Sequence, residues 1–535
     1  MTESFLHGVN VIEVTSGTRT IRTAKSSVIG LIGTAPFAND NAFPLNKPVL
    51  ISGNLKEAAK LIEKEKIVQT TTAIIKEKVK KVAELIIKEK EDAAKSVPEE
   101  TQKFAAAKAK LEEEKEKIVQ AAELTADEKT NLIAEKVVQE IERIIKEKVK
   151  KAAELIIKEK EYAVGNNEAE KQKFAVEKVK LEAEKEKVVQ ATELTQKEAN
   201  FSTGTLPSAI SAIFDQVGAT VVVIRVAEGE NSDPKLKESE TIQNIIGGVD
   251  AATGEYKGIQ TFLSSESAIH VTPRILIAPN FTHQLPGSDS RNPVVAGLIG
   301  IAEKLRAIVV ADGPNTNDAE AIKWRKSVGS PRVYVVDPWV KVFNEEEKVL
   351  PASPFIAGLI AKIDNEHGFW WSPSNQEING IVGTARPVDF TLGDANCRAN
   401  HLNENEIATI IHQNGYRLWG NRTCSSDPKR AFLSVRRTAD LINDSLLRAH
   451  LWAVDRNITR TYLDDVIEGV NAYLAHLKAV GAVLGGKCYA NPDLNTQASI
   501  ADGKVYFDFD FTPPYPAEQI TFRSHLINDY IKELI

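Results

Sequence analysis

The chain has 535 residues, 26% of them charged, and a formal net charge of −7 at pH 7. This mild acidity argues against a general nucleic-acid-binding protein, and the length is sufficient for several domains. The opening residues lack the basic and apolar regions of a secretory signal, and no apolar run approaches the roughly 20 residues of a membrane span. The three cysteines, Cys397, Cys424 and Cys488, are far apart and odd in number, so we expect reduced thiols.

Two strand patterns precede residue 50. Residues 8–14 (GVNVIEV) form a strand-like segment that turn residues follow. Its apolar residues are Val9, Val11, Ile12 and Val14. Residues 27–33 (SVIGLIG) are predicted to form the first buried strand of a domain. Residues 50–59 are then expected to lead into a helix.

A block from residue 57 to residue 199 is a tandem duplication with an offset of 70 residues. Residues 76–91 (KEKVKKVAELIIKEKE) return as residues 146–161 (KEKVKKAAELIIKEKE). The block holds 31 of the 67 basic and 32 of the 74 acidic residues, so it is highly charged and nearly neutral. This composition, with apolar residues at helical spacing, predicts long helices or a coiled coil. The interleaved signs favour a solvated helix surface over nucleic-acid or membrane binding.

Capping and turn residues divide the block into four helices. They are predicted near residues 57–95, 99–124, 128–164 and 168–194. An even number of antiparallel helices returns the chain to its entry point. The block is therefore predicted to be a helical domain inserted into a host of about 392 residues.

The host continues with alternating helices and strands. A helix is predicted at 205–214 and another within 293–305, and both are amphipathic or apolar. The continuous apolar runs that predict buried strands are 219–226, 274–278, 307–311 and 332–336. This alternation predicts an α/β domain with a largely parallel sheet.

Two strand ends and one Cys/His pair are candidate sites. Asp312 and Asp337 each follow a buried strand, where open α/β sheets often bind ligands, but no phosphate-binding loop accompanies them. Ordinary turn chemistry explains the same residues and is the favoured interpretation. Cys397 and His401 are spaced to share a helix face, although a zinc site needs two more ligands and none is nearby. We expect no metal, no cofactor and no catalytic residue.

The C-terminal region combines an amphipathic helix with strands. The helix is predicted at 462–480, with Asp464, Asp465 and Glu468 as an acidic first turn. Residues 505–511 (VYFDFDF) alternate in the manner of a half-buried strand. Its apolar residues are Val505, Phe507, Phe509 and Phe511. The prolines that follow prevent a helix and keep the chain extended. Residues 520–526 can then form a strand, and the tail can form a short helix. From the residues alone, we expect the terminal strands to pair within their own domain.

Several strings in the host identify a family. The longest is Gly415–Thr423 (GYRLWGNRT), and Phe369–Asn375 (FWWSPSN) precedes it. The other strings are FLHGV at 5–9, AEKLRAI at 302–308, DGPN at 312–315, RPV at 386–388 and WAVDR at 452–456. Together they resemble the contractile tail sheath proteins of myophages and R-type pyocins (tailocins). The resemblance covers nearly the whole host and not the duplicated block.

The resemblance implies a structural subunit of a contractile tail sheath, without enzymatic activity. Such subunits form stacked hexameric rings, a six-start helix, around an inner tail tube protein, and contraction drives the tube through a cell envelope. Baseplate and tail terminator proteins would be further partners, with no membrane and no direct nucleic acid contact. The particle is a virion tail or a tailocin, assembled in the host bacterial cytoplasm.

The resemblance also assigns the domains and reverses the expectation for the termini. The implied division is an N-terminal arm at 1–25, an outer α/β domain at 26–56 and 201–345, the inserted helical domain at 57–200, an inner tube-facing α+β domain at 346–511 and a C-terminal arm at 512–535. The arms donate strands to neighbouring subunits through Val9, Val11, Ile12 and Val14, and through Ile520, Phe522 and Leu526. Val505, Phe507, Phe509 and Phe511 belong to the receiving sheet. The helix with Asp464, Asp465 and Glu468 is assigned to the tube-facing domain.

Two other classes of protein fit parts of the sequence. One is an α/β enzyme with a helical lid that uses the ends of the strands at Asp312 and Asp337, which would bind a nucleotide or metal as a monomer. The other is a coiled-coil adaptor whose working part is the duplicated block, which would lose its function when that block is removed. A headless bacteriocin or a secretion-type injection device is an alternative to a phage within the sheath interpretation.

Overall fold

A computed structural model of the chain describes residues 21–53, 59–62 and 204–534, with gaps at 232, 286, 288–289 and 345. The predicted N-terminal strand with Val9, Val11, Ile12 and Val14 lies outside the described residues. So does the duplicated block, apart from residues 59–62, which form a short 3-10 helix (Ala59–Ile62). The four predicted helices of the block stay predictions.

The largest sheet has six strands in the order β2-β3-β1-β6-β7-β8. Its strands are β1 (Ile29–Thr34), β2 (Pro48–Ser52), β3 (Thr220–Val226), β6 (Ile275–Ile277), β7 (Ile308–Asp312) and β8 (Val333–Val336). Five of them run parallel, and β2 alone is antiparallel to its neighbour β3. The prediction of an α/β fold with a largely parallel sheet is confirmed, and all five predicted buried strands form.

Smaller antiparallel sheets surround this one. Their strands are β4 (Gly248–Val249), β5 (Tyr256–Lys257), β9 (Val340–Asn344), β10 (Glu346–Leu350), β11 (Gly383–Thr384), β12 (Thr409–His412), β13 (Tyr416–Trp419), β14 (Gly485–Ala490) and β15 (Phe507–Thr512). They pair as β4-β5, β10-β9-β11, β12-β13 and β14-β15. With the parallel sheet and the helices, they give a mixed α and β architecture.

Ten α-helices lie within the described residues. They are α1 (Leu206–Gln216), α2 (Pro234–Ile246), α3 (Ser265–Ile269), α4 (Pro293–Leu305), α5 (Asp318–Lys326), α6 (Ser353–Glu366), α7 (Arg398–Glu404), α8 (Leu433–Ala449), α9 (Arg460–Ala479) and α10 (Gln497–Ala501). Helices α1 and α4 match their predictions closely. Both begin with proline in the first turn, where the missing amide proton costs nothing.

Helices cover both faces of the parallel sheet and give two hydrophobic cores. Side chains of α1 and α6 pack on one face, together with alternate residues of the strands such as Leu31 and Val223. Residues of α4 pack on the other face, with Ile32 and Val222. Because both faces are buried, the strands are continuously apolar, and this is why the sequence reveals them.

Strand β2 differs from the expectation for residues 50–59. That segment was expected to lead into a helix, but Pro48–Ser52 pairs with β3, with Leu50 opposite Val222. Pro48 opens the strand, a position where a missing amide donor is tolerated. Beyond this strand, the next described residues form the short 3-10 helix Ala59–Ile62.

A third core lies in the C-terminal region. It contains residues of α8 and α9 and Cys488 of β14, and the apolar face of β15 packs against it. Its buried members include Leu441, Ile442, Val470, Tyr473, Leu474 and Leu477. The first core does not stop at residue 345, the predicted end of the outer domain, because Phe355, Ile410 and Leu418 belong to it. The division into domains stays a prediction.

Candidate subunit-contact site

The β14–β15 hairpin contains the predicted receiving strand. The two strands are antiparallel, with Cys488 opposite Phe509 and Lys487 opposite Asp510. Phe507, Phe509 and Phe511 pack against the third core, and Asp510 is exposed on the other face. The alternation predicted from the sequence is therefore correct for the three phenylalanines.

Val505 was assigned to this strand, but the strand begins at Phe507. The Asn495 side chain accepts a hydrogen bond from Tyr506 N at 2.8 Å and donates one to Tyr506 O at 2.7 Å. These bonds satisfy the backbone of Tyr506 locally. Val505 is half-buried and precedes the strand.

The two outer edges of the hairpin differ. On β14, Cys488 N donates to Asn471 Oδ1 at 2.7 Å, and Asn471 Nδ2 donates to Cys488 O at 3.1 Å. The carboxamide of Asn471, on α9, thus occupies the place that a neighbouring strand would take. Within the described residues, the outer edge of β15 has no such partner. An open edge of this kind is a template for another strand.

Register identifies the groups on that open edge. Because the main-chain groups of Cys488 point away from β15, the pair Cys488 and Phe509 is a non-hydrogen-bonded pair. Groups alternate along an antiparallel ladder, so Phe507, Phe509 and Phe511 direct their amide and carbonyl groups outward. The same three residues direct their rings into the third core.

The C-terminal arm follows this strand and is exposed. Residues 513–528 form no helix or strand, so the predicted strand at 520–526 does not form within the chain itself. Ile520 is 70% exposed, Phe522 92% and Leu526 101%. Exposed apolar side chains at alternating positions, without a partner strand in the part of the subunit that the structure describes, are typical of a segment that binds elsewhere.

A polar contact holds the root of the arm. Arg422 donates to both carboxylate oxygens of Glu518, with Nη2 at 2.6 Å from Oε2. The ion pair raises the pKa of the Arg422 guanidinium. The guanidinium also lies over the Phe432 ring, 5.0 Å from its centroid, and Tyr515 meets that ring edge-on. The arm is thereby fixed up to Glu518, and the apolar residues lie beyond it.

The N-terminal end of the described chain reaches the same region. Ile21 is 8% exposed and belongs to the third core. Thr23 Oγ1 lies 3.2 Å from the Tyr473 hydroxyl, and Ala24 N donates to Ser445 Oγ at 3.0 Å. The chain preceding β1 is therefore anchored on the C-terminal core.

Helix α9 carries the three acidic residues assigned to the tube-facing domain. Asp464, Asp465 and Glu468 are exposed, and the opposite face is buried in the third core. They do not form the first turn, so that prediction is wrong. The helix begins earlier, at Arg460, because the Thr459 side chain caps it by accepting from Tyr462 N.

A layer of buried charges on α8 was not foreseen from the sequence. Asp440 accepts from Arg332 Nη1 at 2.8 Å and from Arg436, and Asp444 accepts from Arg274. Arg274 and Arg332 immediately precede β6 and β8, so α8 contacts the amino ends of the sheet strands. Residues 436, 440, 444 and 448 are all charged at four-residue spacing, which places them on one helix face. This four-residue spacing of charges is the sequence signal from which the buried layer could have been predicted.

The two strand-end aspartates lie at the opposite, carboxyl end of the sheet. Asp312 is fully buried, and its carboxylate accepts from Ser353 N at 2.7 Å and Ser353 Oγ at 2.6 Å. Burial raises the pKa of Asp312 to about 6, the Ser353 hydrogen bonds oppose this, and nearby Asp337 adds to it. The serine therefore ties the start of α6 to the end of β7.

Asp337 is likewise used within the fold. It accepts from Asn315 N at 2.8 Å and from Arg386, which also contacts Asp318. Burial raises the pKa of Asp337, and the Arg386 charge opposes this. A cavity of about 290 Å³ opens elsewhere, lined by residues that include Asn46, Asp250 and Lys257 but neither of these aspartates.

Cys397 and His401 do not come together as a site. Cys397, the residue before α7, is buried in a small cluster with Ala399 and Ile411, whereas His401, within α7, is exposed. Among the described residues, no group of three or more His, Cys, Asp or Glu side chains is arranged to hold a metal ion. In that same part of the chain, no helix combines the length and apolarity required to cross a membrane.

Comparison with known proteins matches two family models. The phage tail sheath protein central domain matches residues 257–424, and the phage tail sheath C-terminal domain matches residues 425–527. These ranges contain most of the parallel sheet after β3, the charged helix α8, and the β14–β15 hairpin.

Relatives with similar sequences have the same description. A prophage major tail sheath protein of Pseudomonas aeruginosa is 46% identical over 330 residues, which is 61% of this chain and 82% of that protein. The tail sheath protein of Escherichia phage P2 is 34% identical over 337 residues, 62% of this chain and 83% of that protein.

Among solved structures, the helical sheath of the anti-feeding prophage in its contracted state is 22% identical, with a TM-score of 0.45. That match covers 59% of this chain and 81% of the other, and at this TM-score it adds nothing to the assignment. The assignment rests on the sequence relatives, of which this chain spans more than four fifths. The chain belongs to the phage tail sheath protein family and is a structural subunit of a contractile tail sheath.

Proposed function

We propose that this subunit polymerises by strand donation, forming stacked hexameric rings in a six-start helix around an inner tail tube protein. The exposed C-terminal arm of one subunit, through Ile520, Phe522 and Leu526, pairs with the β15 edge of a neighbour. The N-terminal segment with Val9, Val11, Ile12 and Val14 also donates a strand to a neighbouring subunit, at a position other than the β15 edge that the C-terminal arm occupies. Contraction of the assembled sheath then drives the tube through a cell envelope.

The observation that carries this proposal is the combination of an open edge and an unpaired segment in one chain. The outer edge of β15 lacks a partner strand among the described residues, while Phe522 is 92% exposed beyond the Glu518 anchor. An isolated two-stranded hairpin is marginally stable, so an added strand stabilises it as well as joining subunits. Main-chain bonds would supply affinity, and the alternate apolar side chains would supply register.

The remaining partners follow from the family. Baseplate and tail terminator proteins would bind the two ends of the sheath, and α9, with Asp464, Asp465 and Glu468 exposed, is the proposed face toward the tube. The particle is a phage tail or a headless tailocin, assembled in the bacterial cytoplasm. We propose that the chain is not an enzyme, because Asp312 and Asp337 are both engaged in hydrogen bonds that hold the fold.

The test is replacement of Ile520, Phe522 and Leu526 by serine in the full-length chain. We expect the variant to remain a folded monomer by circular dichroism and to form no long tubes in negative-stain images or pelleting assays. The matched control replaces Leu494 and Ile500, which are 49% and 37% exposed on a different segment, and should polymerise normally. Normal tubes from the arm variant would contradict the proposal.

A further inference from the structure

We propose that the receiving hairpin grows from β15 only, because Asn471 closes the β14 edge, so that the assembled sheet has the order β14-β15-donor. This inference rests on the proposed strand donation and specifies its geometry. It assigns Asn471 as a positioning residue for subunit contact, although its side chain faces its own subunit.

The outer edge of β14 is closed at Cys488. A strand that paired with β14 would need Cys488 N as a donor and Cys488 O as an acceptor. Both are already bonded to one carboxamide, with Asn471 Oδ1 at 2.7 Å from Cys488 N and Asn471 Nδ2 at 3.1 Å from Cys488 O. Asparagine offers the donor and the acceptor that a strand would offer, so it replaces a strand residue at this position.

Packing holds Asn471 in place beside β14. Cys488 is 1% exposed, and on α9 the neighbours of Asn471, Val470 and Leu474, are buried in the same core. The carboxamide therefore extends from a helix that is fixed against the hairpin. A donor strand would have to displace both the amide and the helix, leaving the half-buried carboxamide of Asn471 without its partners.

The outer edge of β15 is open, unlike that of β14. Its outward main-chain groups belong to Phe507, Phe509 and Phe511, and no described side chain bonds to them. Strand addition at this edge breaks no hydrogen bond formed among the described residues. The difference between the two edges makes growth one-sided.

The strand order can be measured with disulfides. Lys487 and Asp510 lie opposite each other, and both are exposed on the same face of the hairpin. Neighbouring strands are about 4.8 Å apart, and next-but-one strands about 10 Å. A disulfide requires Cβ atoms about 4 Å apart, so a donor beside β15 reaches position 510 and not position 487. The three native cysteines are buried and give little background.

The experiment combines Asp510→Cys or Lys487→Cys with single cysteines placed in turn at residues 520–526 and 9–14, in full-length chains assembled before oxidation. We expect intersubunit dimers from at least one arm position with the 510 cysteine, in at least tenfold excess over the 487 cysteine. Chains with a single added cysteine measure the background. Equal yields from the two positions would overturn the proposed order.

The role of Asn471 itself is tested in the same assay. Asn471→Ala should lower the ratio of the 510 to the 487 crosslink, and Asn471→Asp, which still accepts from Cys488 N, should lower it less. An unchanged ratio in Asn471→Ala would show that Asn471 does not close the edge. Particles that form without crosslinks from either position would instead contradict strand donation, the function on which this inference rests.

Discussion

Replacement of Asp312 by asparagine should change the pH dependence of folding in a calculable way. The pKa of this buried carboxyl is raised from 3.8 to about 6, and burial is the main cause. Between these two values the folded chain holds a proton that the unfolded chain has lost. Folding stability therefore falls as the pH rises from about 4 to about 6, and it stays lower above that range.

The magnitude follows from the shift. Each pKa unit corresponds to about 1.4 kcal/mol, so the ionised carboxylate costs about 3 kcal/mol above pH 6, of which about 2.5 kcal/mol develops between pH 4 and pH 8. Asparagine has nearly the same shape and can still accept from Ser353 N, but it cannot ionise. Whatever constant cost the substitution has, the free energy of unfolding of Asp312→Asn minus that of wild type should be about 2.5 kcal/mol larger at pH 8 than at pH 4.

The assay is urea denaturation of both proteins at intervals from pH 4 to pH 8, below the concentration at which they polymerise. Asp465→Asn is the matched control, because Asp465 is exposed, and its difference from wild type should not vary in this way. A difference for Asp312→Asn that is flat across pH, or that becomes smaller toward pH 8, would contradict this prediction. The Ser353 hydrogen bonds would then outweigh the desolvation of Asp312.

Three further predictions concern the charge layer, the open edge and the duplicated block. Asp440→Asn leaves the buried Arg436 without its carboxylate and Arg332 with Glu303 as its remaining carboxylate partner, and should cost about 3–5 kcal/mol in urea denaturation, against less than about 0.5 kcal/mol for Asp465→Asn; a loss below about 1 kcal/mol would contradict this. Phe507→Pro removes an outward amide donor and should block polymerisation in pelleting assays, whereas Phe507→Ala, which keeps the amide, should pellet; equal pelleting would count against the β15 edge. Replacement of residues 63–203 by a short Gly/Ser linker should give a sheath that assembles and contracts with a smaller outer diameter in negative-stain images. The linker begins after residue 62 because Leu61 is buried in the first core, and a folded monomer that fails to assemble would show that the block makes an obligatory contact.

The fold was predictable wherever burial was uniform. A strand such as Thr220–Val226 is covered on both faces, so five of its seven residues are apolar and the pattern is plain. The edge strand Pro48–Ser52 escaped notice because it is short, half-exposed and defined by pairing with β3. Such non-local pairing leaves little trace in a local sequence window.

The contact site was predictable in outline only. Alternation in residues 505–511 gave the apolar face of β15, and exposed Phe522 agrees with an arm that pairs outside its own subunit. The role of Asn471 depends on where α9 meets β14, and sequence spacing does not encode that contact. The start of α9 was also misplaced, since the hydrophobic pattern begins at Leu463 while the Thr459 cap starts the helix at Arg460.

Strand donation requires that the arm of one subunit forms a strand on the hairpin of another. The most direct measurement is a density map of the assembled sheath, at a resolution that traces the main chain through residues 505–535. We expect a neighbour's arm paired along the outer edge of β15, with its main chain bonded to Phe507, Phe509 and Phe511. An arm that folds back on its own subunit, or that crosses the neighbour without main-chain pairing, would contradict it.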